Sequence, residues 1–330
     1  MEKTLIFLAR EERVMKISFV IPCYCSELTI QDVVKQIQDT MENIQGYDYE
    51  VILVNDCSKD NTFDVLKKIV ESNDKVKAVD LAKNSGQHAA ILAGFNQVTG
   101  EYVVTMDDDG QTPIENLPVM LEKLKDGYDV VSAKYVKRNQ PSWFRRMGTM
   151  INKKMANWLL DTPEDVIFSI FSLYRRFVVD EVIKYDQPYP YLRGLVLRIT
   201  HNIGNVEMEQ KARMVGQSGY SFGKLLSLWL NGFTAFSIKP LRIATMFGSI
   251  CAGVGFLFAI ITFIRKLVVV NIQVGWSSLV SIMLFLGGII LIMLGLLGEY
   301  LGRAYICINH TPQFVIRGKC GFEEEEDERQ

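Results

Sequence analysis

A chain of 330 residues is long enough for about two ordinary domains, and a net charge of −2 argues against nucleic acid as a partner. Its 6 cysteines (Cys23, Cys25, Cys57, Cys251, Cys307 and Cys320) do not read as a disulfide framework. Its 3 histidines lack metal-ligand spacing, so "PCYC" reads as packed, reduced thiols.

The opening "MEKTLIFLAREERVMK" is charged throughout, and its apolar stretch over residues 5–9 is too short for a signal peptide. Residues 1 to about 240 are therefore expected in the cytoplasm. Strand and helix signals then alternate. "KISFVIPCY" is a β-branched run stopped by Pro22, and "TIQDVVKQIQDTM" places Ile30, Val33, Val34, Ile37 and Met41 at helical spacing. "YEVILVND" and "DNTFDVLKKIVES" repeat the pair, with Asp60 or Asn61 as helix cap. "KVKAVDLA", "GQHAAILAGFNQV", "EYVVTM", "IENLPVMLEKLKDG" and "YDVVSAKY" continue it. Such alternation predicts a largely parallel sheet with helices on both faces. Ligands of such sheets bind at the carboxyl ends of the strands, where "PCYC", "NDCSKDNT", "AKNSGQ" and "MDDDGQ" all fall.

Beyond Lys134 the composition turns basic and aromatic. Phe222, Leu225, Leu226, Trp229, Phe233 and Phe236 share one helical face, predicting a juxtamembrane amphipathic helix over residues 216–240. Two long apolar runs follow, and each is long enough to span a bilayer. The expected organisation is a catalytic domain over 1–215, the amphipathic helix, two transmembrane helices (about 243–264 and 275–298) within 241–303, and a cytoplasmic tail over 304–330. Lys239, Arg242, Arg303, Arg317 and Lys319 flank the expected inside, whereas Arg265 and Lys266 fall in the short outer loop. Gly287, Gly288, Gly295 and Gly298 permit close helix contact, so a homo-oligomer is expected through the spans.

The chemistry centres on "TMDDDGQTP". Alternate side chains of an extended chain share a side, so Asp107 and Asp109 converge while Asp108 points away. Two carboxylates at a strand end favour a hard divalent cation, Mg²⁺ or Mn²⁺, with Gln111 offering a further oxygen and Gly110 freeing the backbone. Neither "GxxxxGK[ST]" nor "GxGxxG" is present, so phosphates must be held by metal and side chains. Asp56 could accept from a nucleobase N–H or cap a turn, and Tyr24 could stack on a base or be structural. With Pro22, Glu27 and Asp108 they form the candidate nucleotide-binding set. Lys134, Arg138, Arg145, Arg146 and Arg213 supply positive charge suited to phosphate or to anionic lipid.

These blocks, "VIPCYCSE…LVNDCSKDNT…NSGQHAAILAG…YVVTMDDDGQTP", resemble a family 2 glycosyltransferase of GT-A fold, a Rossmann-like, mostly parallel sheet. "RMVGQSGYSFGKLLSL", "IKPLRIATMFG" and "WSSLVSIMLFLGGIILIMLGLLGEYLGR" are similar to the polyprenyl-phosphate glycosyltransferases related to dolichol-phosphate mannose synthase, especially bacterial undecaprenyl-phosphate sugar transferases with two C-terminal spans. The resemblance implies inverting transfer of a sugar, UDP-linked, from a nucleotide sugar to a polyprenyl phosphate. It implies nucleotide contacts from Pro22, Tyr24 and Asp56, metal contacts from Asp107, Asp109 and Gln111, and phosphate contacts from Arg145 or Arg146 and from Arg213 with Ser218. Cys25 stands where the family usually has Asn, Ser172 where many members carry Arg, and Gly219 where Lys is frequent before Tyr220. A processive polysaccharide synthase would carry Gln-x-x-Arg-Trp and more spans, and neither is found. A nucleotide-binding regulator without catalysis is the other rival.

Overall fold

A computed structural model describes residues 14–136, 167–188, 190–211, 275–309 and 311–322, together with single positions between 246 and 264. The first strands form where the sequence places its apolar runs. β1 (Met15–Cys23) pairs in parallel with β2 (Tyr47–Asn55), in register from Met15 opposite Tyr47 to Cys23 opposite Asn55. β2 pairs with β3 (Val76–Leu81), and β1 with β4 (Tyr102–Thr105), both in parallel. Helices α1 (Ile30–Glu42), α2 (Thr62–Ser72) and α3 (Gln87–Phe95) are the connections.

Both faces of the central strands are buried. Ile17, Phe19 and Ile21 of β1 pack in one cluster with Ile30, Val33, Val34, Ile37 and Met41 of α1, while Val20, Ile52 and Val54 are also fully buried. Continuous burial explains why β1 and β2 read as unbroken apolar runs rather than as alternation. α3 carries Gly94 where an added Cβ would lie 2.4 Å from Val20 Cγ1, so this helix approaches the sheet closely.

The complete order is β7-β5-β6-β4-β1-β2-β3-β8, and here the structure departs from the expectation of a largely parallel sheet. After the 3₁₀ turn Ile114–Asn116, α4 (Leu117–Lys125) and β5 (Val130–Tyr135), the strand β6 (Ser172–Arg175) inserts antiparallel between β4 and β5. α5 (Arg176–Val182), α6 (Leu192–Ile199) and β7 (Ile203–Met208) follow, with β7 parallel to β5. At the other edge β8 (Ile316–Cys320) lies antiparallel on β3. The architecture is thus a mixed α/β sheet.

The chain divides into two compact units, Met1–Gly219 with His310–Gln330, and Tyr220–Asn309. Within the segment expected as a cytoplasmic tail, 304–330, β8 completes the sheet. In the second unit α7 (Trp276–Ile308) is a single helix that runs ten residues past the expected end at 298, and Leu286–Ile308 within it is long and apolar enough to cross a membrane. Leu291, Leu301 and Ile308 are each about 70% exposed, as a lipid-facing surface requires. The described positions from Met246 to Ile264 are helical. The expected amphipathic helix over 216–240 lies outside the described residues.

Candidate active site

Because β1 to β4 run parallel, the loops that follow them gather at one edge of the sheet. Asp107, Asp108 and Asp109 follow β4 there. Gly110 has φ +72°, a left-handed conformation open to glycine, and this turn lets the acidic run fold back from the strand end. Asp107 Oδ1 accepts from Gln87 Nε2 at 2.8 Å, and Asp109 Oδ1 accepts from the backbone N–H of Gln111 at 3.1 Å. Tyr135, at the end of β5, reports on both. Burial raises its phenol pKa, and the charges of Asp107 and Asp109 raise it further. Asp107 and Asp109 thus both bear electrostatically on the Tyr135 phenol.

Asp108 turns elsewhere. Its Oδ2 accepts the backbone N–H of Tyr24 at 3.0 Å, and its carbonyl accepts Thr29 Oγ1 at 2.7 Å. Burial raises its pKa, against the hydrogen bond from the Tyr24 N–H, and the neighbouring Asp109 charge adds to the rise. Asp108 thus ties the loop after β1 to the loop after β4, leaving the Tyr24 ring 46% exposed. Glu27 joins two loops in a similar way, its Oε2 accepting the N–H of Asn61 at 3.0 Å at the start of α2. Asp60, one of the two expected caps, accepts from Thr62 N and Thr62 Oγ1.

Asp56 is buried at the end of β2. Its carboxylate receives the backbone N–H of Ser85 at 2.6 Å and of Gly86 at 2.9 Å. Burial raises its pKa against those two bonds. A carboxylate has about four lone-pair sites, so acceptor capacity remains for a ligand N–H. Pro22 is buried in β1 opposite Val54. Cys25 (φ 54°) and Cys57 (φ 53°) both adopt the left-handed region, one in each loop beside this carboxylate. Asn tolerates that region better than most residues, which gives a backbone reason for the Asn usual at position 25 in the resembling family.

Gln111 Oε1 accepts from Gln210 Nε2 at 3.1 Å, and its backbone oxygen accepts from Lys211 N at 3.1 Å. Lys211 Nζ also pairs with Glu115 at 2.7 Å. The segment after β7 is therefore stitched to the acidic loop. Lys134 is occupied by Glu207 at 2.7 Å. Ser172, where many resembling chains carry Arg, is buried and hydrogen bonded to Ser132 Oγ and the Ser169 carbonyl, both at 2.8 Å. Arg138, Arg145, Arg146, Arg213 and Ser218 lie outside the described residues. Sequence reasoning alone does not find Gln87, Tyr135 or Gln210. For Gln87 a signal exists, because "AKNSGQ" falls among the strand-end loops.

Among the described residues no three His, Cys, Asp or Glu side chains converge as a self-contained metal site. Asp107 and Asp109 still suit a hard cation. Both are carboxylates, both act on the region of Tyr135, and Mg²⁺-type ions complete their shell with water and substrate phosphate.

Comparison with known proteins agrees with this geometry. Residues 18–183 match the glycosyl transferase family 2, and residues 239–304 match the GtrB C-terminal hairpin. An uncharacterized glycosyltransferase, YkcC, of Bacillus subtilis is 33% identical over 311 residues, covering 94% of this chain and 96% of that protein. The undecaprenyl-phosphate 4-deoxy-4-formamido-L-arabinose transferase of Proteus mirabilis is 31% identical, covering 94% and 95%. The bactoprenol glucosyl transferase of Shigella phage SfV is 32% identical, covering 92% and 99%. Among solved structures, glucosyl-3-phosphoglycerate synthase of Mycobacterium tuberculosis, crystallised with Mn²⁺, UDP-glucose and phosphoglyceric acid, shares the fold at TM-score 0.50 and 17% identity, covering 67% and 78%. With its acidic strand end, its mixed sheet and these matches along nearly the whole chain, the protein belongs to glycosyl transferase family 2.

Proposed function

We propose that this protein moves a sugar from a UDP-linked nucleotide sugar to a polyprenyl phosphate, with inversion at the anomeric carbon, at the cytoplasmic face of a membrane. The observation that carries the reading is the pair Asp107 and Asp109 after β4, in a chain that continues into an exposed helix long and apolar enough to cross a membrane. The names of the relatives support the acceptor class: one acts on undecaprenyl phosphate and another on bactoprenol. Mn²⁺ and UDP-glucose in the crystallised neighbour favour a divalent cation and a uridine nucleotide.

The chemistry divides among this chain's residues as follows. Asp56 accepts from the nucleobase, and Tyr24, exposed in the loop after β1, stacks on it. Asp107 and Asp109 hold Mg²⁺ or Mn²⁺, which when bound offsets the negative charge developing on the departing diphosphate. Gln87 and the Gln111 backbone fix the two carboxylates. A phosphate monoester has a second pKa of roughly 6, so the acceptor is already anionic near neutral pH and no strong general base is required. Holding two anions together is the difficulty, and Arg138, Arg145, Arg146, Arg213 and Ser218 are proposed to orient the lipid phosphate.

Membranes carrying the protein, incubated with a panel of radiolabelled nucleotide sugars, are expected to place label in extracted lipid from one donor, and chelation should abolish it. Binding of nucleotide sugar without lipid labelling or nucleoside diphosphate release would instead favour the regulator reading.

A further inference from the structure

We infer that β8, the strand that follows the membrane segment, is a positioning element of the donor-nucleotide site and acts through Arg317. This rests on the proposed contact between Asp56 and the nucleobase. Two hydrogen-bonded routes lead from β8 to the loops that carry Asp56 and Tyr24.

The first runs through the loop after β3. Ala82 donates its N–H to the Val315 carbonyl at 2.8 Å, and Arg317 Nη2 donates to the Ala82 carbonyl at 2.8 Å. Ala82 is thereby held from both backbone groups. The same loop supplies the Ser85 and Gly86 N–H groups that grip the Asp56 carboxylate, and Asn84 Nδ2 donates to the Asp56 carbonyl at 3.3 Å.

The second route runs through the sheet. Arg317 Nη1 meets Asp80 Oδ2 at 3.4 Å, and Asp80 is only 5% exposed. Asp80 Oδ1 accepts from Asn55 Nδ2 at 2.7 Å, Asn55 Oδ1 accepts from Ser58 N at 3.2 Å, and Ser58 Oγ accepts from Cys25 N at 3.1 Å. Cys25 is the left-handed residue directly after Tyr24.

Each link is modest alone, and the Arg317 side chain is 58% exposed. Its importance lies in what it holds. Without Arg317 the buried Asp80 loses its described cation, and the loop that orients Asp56 loses one of the clamps on Ala82, leaving the Val315 carbonyl and the longer Cys57 Sγ bond. Gln313 Nε2, which donates to the Tyr185 carbonyl, anchors the approach to β8 on a different element. The segment beyond the membrane helix is thus fastened to the sheet before its arginine reaches the site.

The test measures UDP affinity by titration calorimetry on the detergent-solubilised full chain, with donor KM and kcat alongside. Arg317→Ala is expected to weaken UDP binding about tenfold and to raise donor KM similarly, with kcat at saturating donor unchanged. Arg317→Lys, which keeps a charge for Asp80 but loses the fork that also reaches Ala82, should fall between. Lys319→Ala, on the same strand but outside both routes, should bind UDP as the parent does. A purely structural role would lower the active fraction and kcat without altering the affinity of the folded protein, and that result would overturn the inference. If Arg317→Ala does not accumulate, unchanged UDP affinity in Arg317→Lys overturns it equally. Asp56→Ala separates the two levels. Loss of affinity there with parental affinity in Arg317→Ala rejects the β8 inference alone, whereas retained affinity in Asp56→Ala rejects the nucleotide reading beneath it.

Discussion

Three adjacent carboxylates repel one another, and the structure resolves the conflict by giving them different surroundings. Asp108 is drawn back to the Tyr24 N–H, while Asp107 and Asp109 remain on the side of Tyr135. The expectation for this run rests on strand alternation, whereas the strand ends at Thr105 and residues 108–110 form a bend. The supporting groups are not legible in the sequence. Gln87 meets Asp107 from an element 20 residues away, Tyr135 feels both charges from β5, and no local pattern announces either. Asp107→Asn and Asp109→Asn preserve size while removing charge, and each should cut sugar transfer by about two orders of magnitude. Mn²⁺ affinity, read by electron paramagnetic resonance of the free ion, should fall in both. Asp108→Asn should leave Mn²⁺ affinity near the parent's and raise donor KM instead, since its oxygen holds the Tyr24 loop. Equal Mn²⁺ affinity in all three variants and the parent would remove the metal role from this strand end.

At the scale of elements, the sheet separates stability from chemistry. Its amino end is fastened by Glu50, a carboxylate only 2% exposed. Glu50 Oε1 accepts from Ser18 Oγ at 2.7 Å, Thr99 N at 2.7 Å and Thr99 Oγ1 at 2.9 Å, and Oε2 meets Lys16 and Lys77, each at 3.1 Å. Burial alone would raise its pKa, but the bonds from Ser18, Thr99 and Lys77 outweigh burial and hold it down at about 2. A depressed carboxylate stabilises the fold above its unfolded pKa, near 4.5, and that contribution is lost as pH falls toward 2. A shift of this size corresponds to about 3 kcal/mol at neutral pH. Glu50→Gln should therefore lower the thermal midpoint clearly at pH 7, with the difference from the parent shrinking below about pH 4. A constant difference across that range would show that packing, not charge, is responsible. Which elements can be read beforehand follows the same physics. β1 to β5 are buried runs, whereas β6 has four residues in antiparallel pairing. β8 alternates between intermediate and exposed positions because it is an edge strand. Neither supplies the long apolar stretch that betrays an interior strand.

On the scale of the whole molecule, β8 constrains the path through the membrane. One sheet cannot contain strands from both sides of a bilayer, since open sheet edges do not cross hydrocarbon. β7 ends at Met208 and β8 begins at Ile316 in that one sheet, so the proposed membrane path between them has an even number of crossings. We propose two crossings, α7 being one and the match of residues 239–304 to a hairpin giving the other its place. Arg317 and Lys319 no longer count as topology signals, because Arg317 is bound to Asp80 and Lys319 lies over the Phe322 ring. The remaining flanking charges, Lys239, Arg242 and Arg303 against Arg265 and Lys266, give only a weak bias toward a cytoplasmic sheet. Reporter fusions decide the matter. A fluorescent protein joined after Gln330 should be bright, as it folds in the cytoplasm, and an alkaline phosphatase joined after Val270 should be active, as it requires export. A phosphatase active after Gln330 but inactive after Val270 would place the sheet outside, away from cytoplasmic nucleotide sugar. Activity at only one of the two sites, with the same reporter tested at both, is the pattern two crossings demand. Activity of the phosphatase at both would contradict the two crossings.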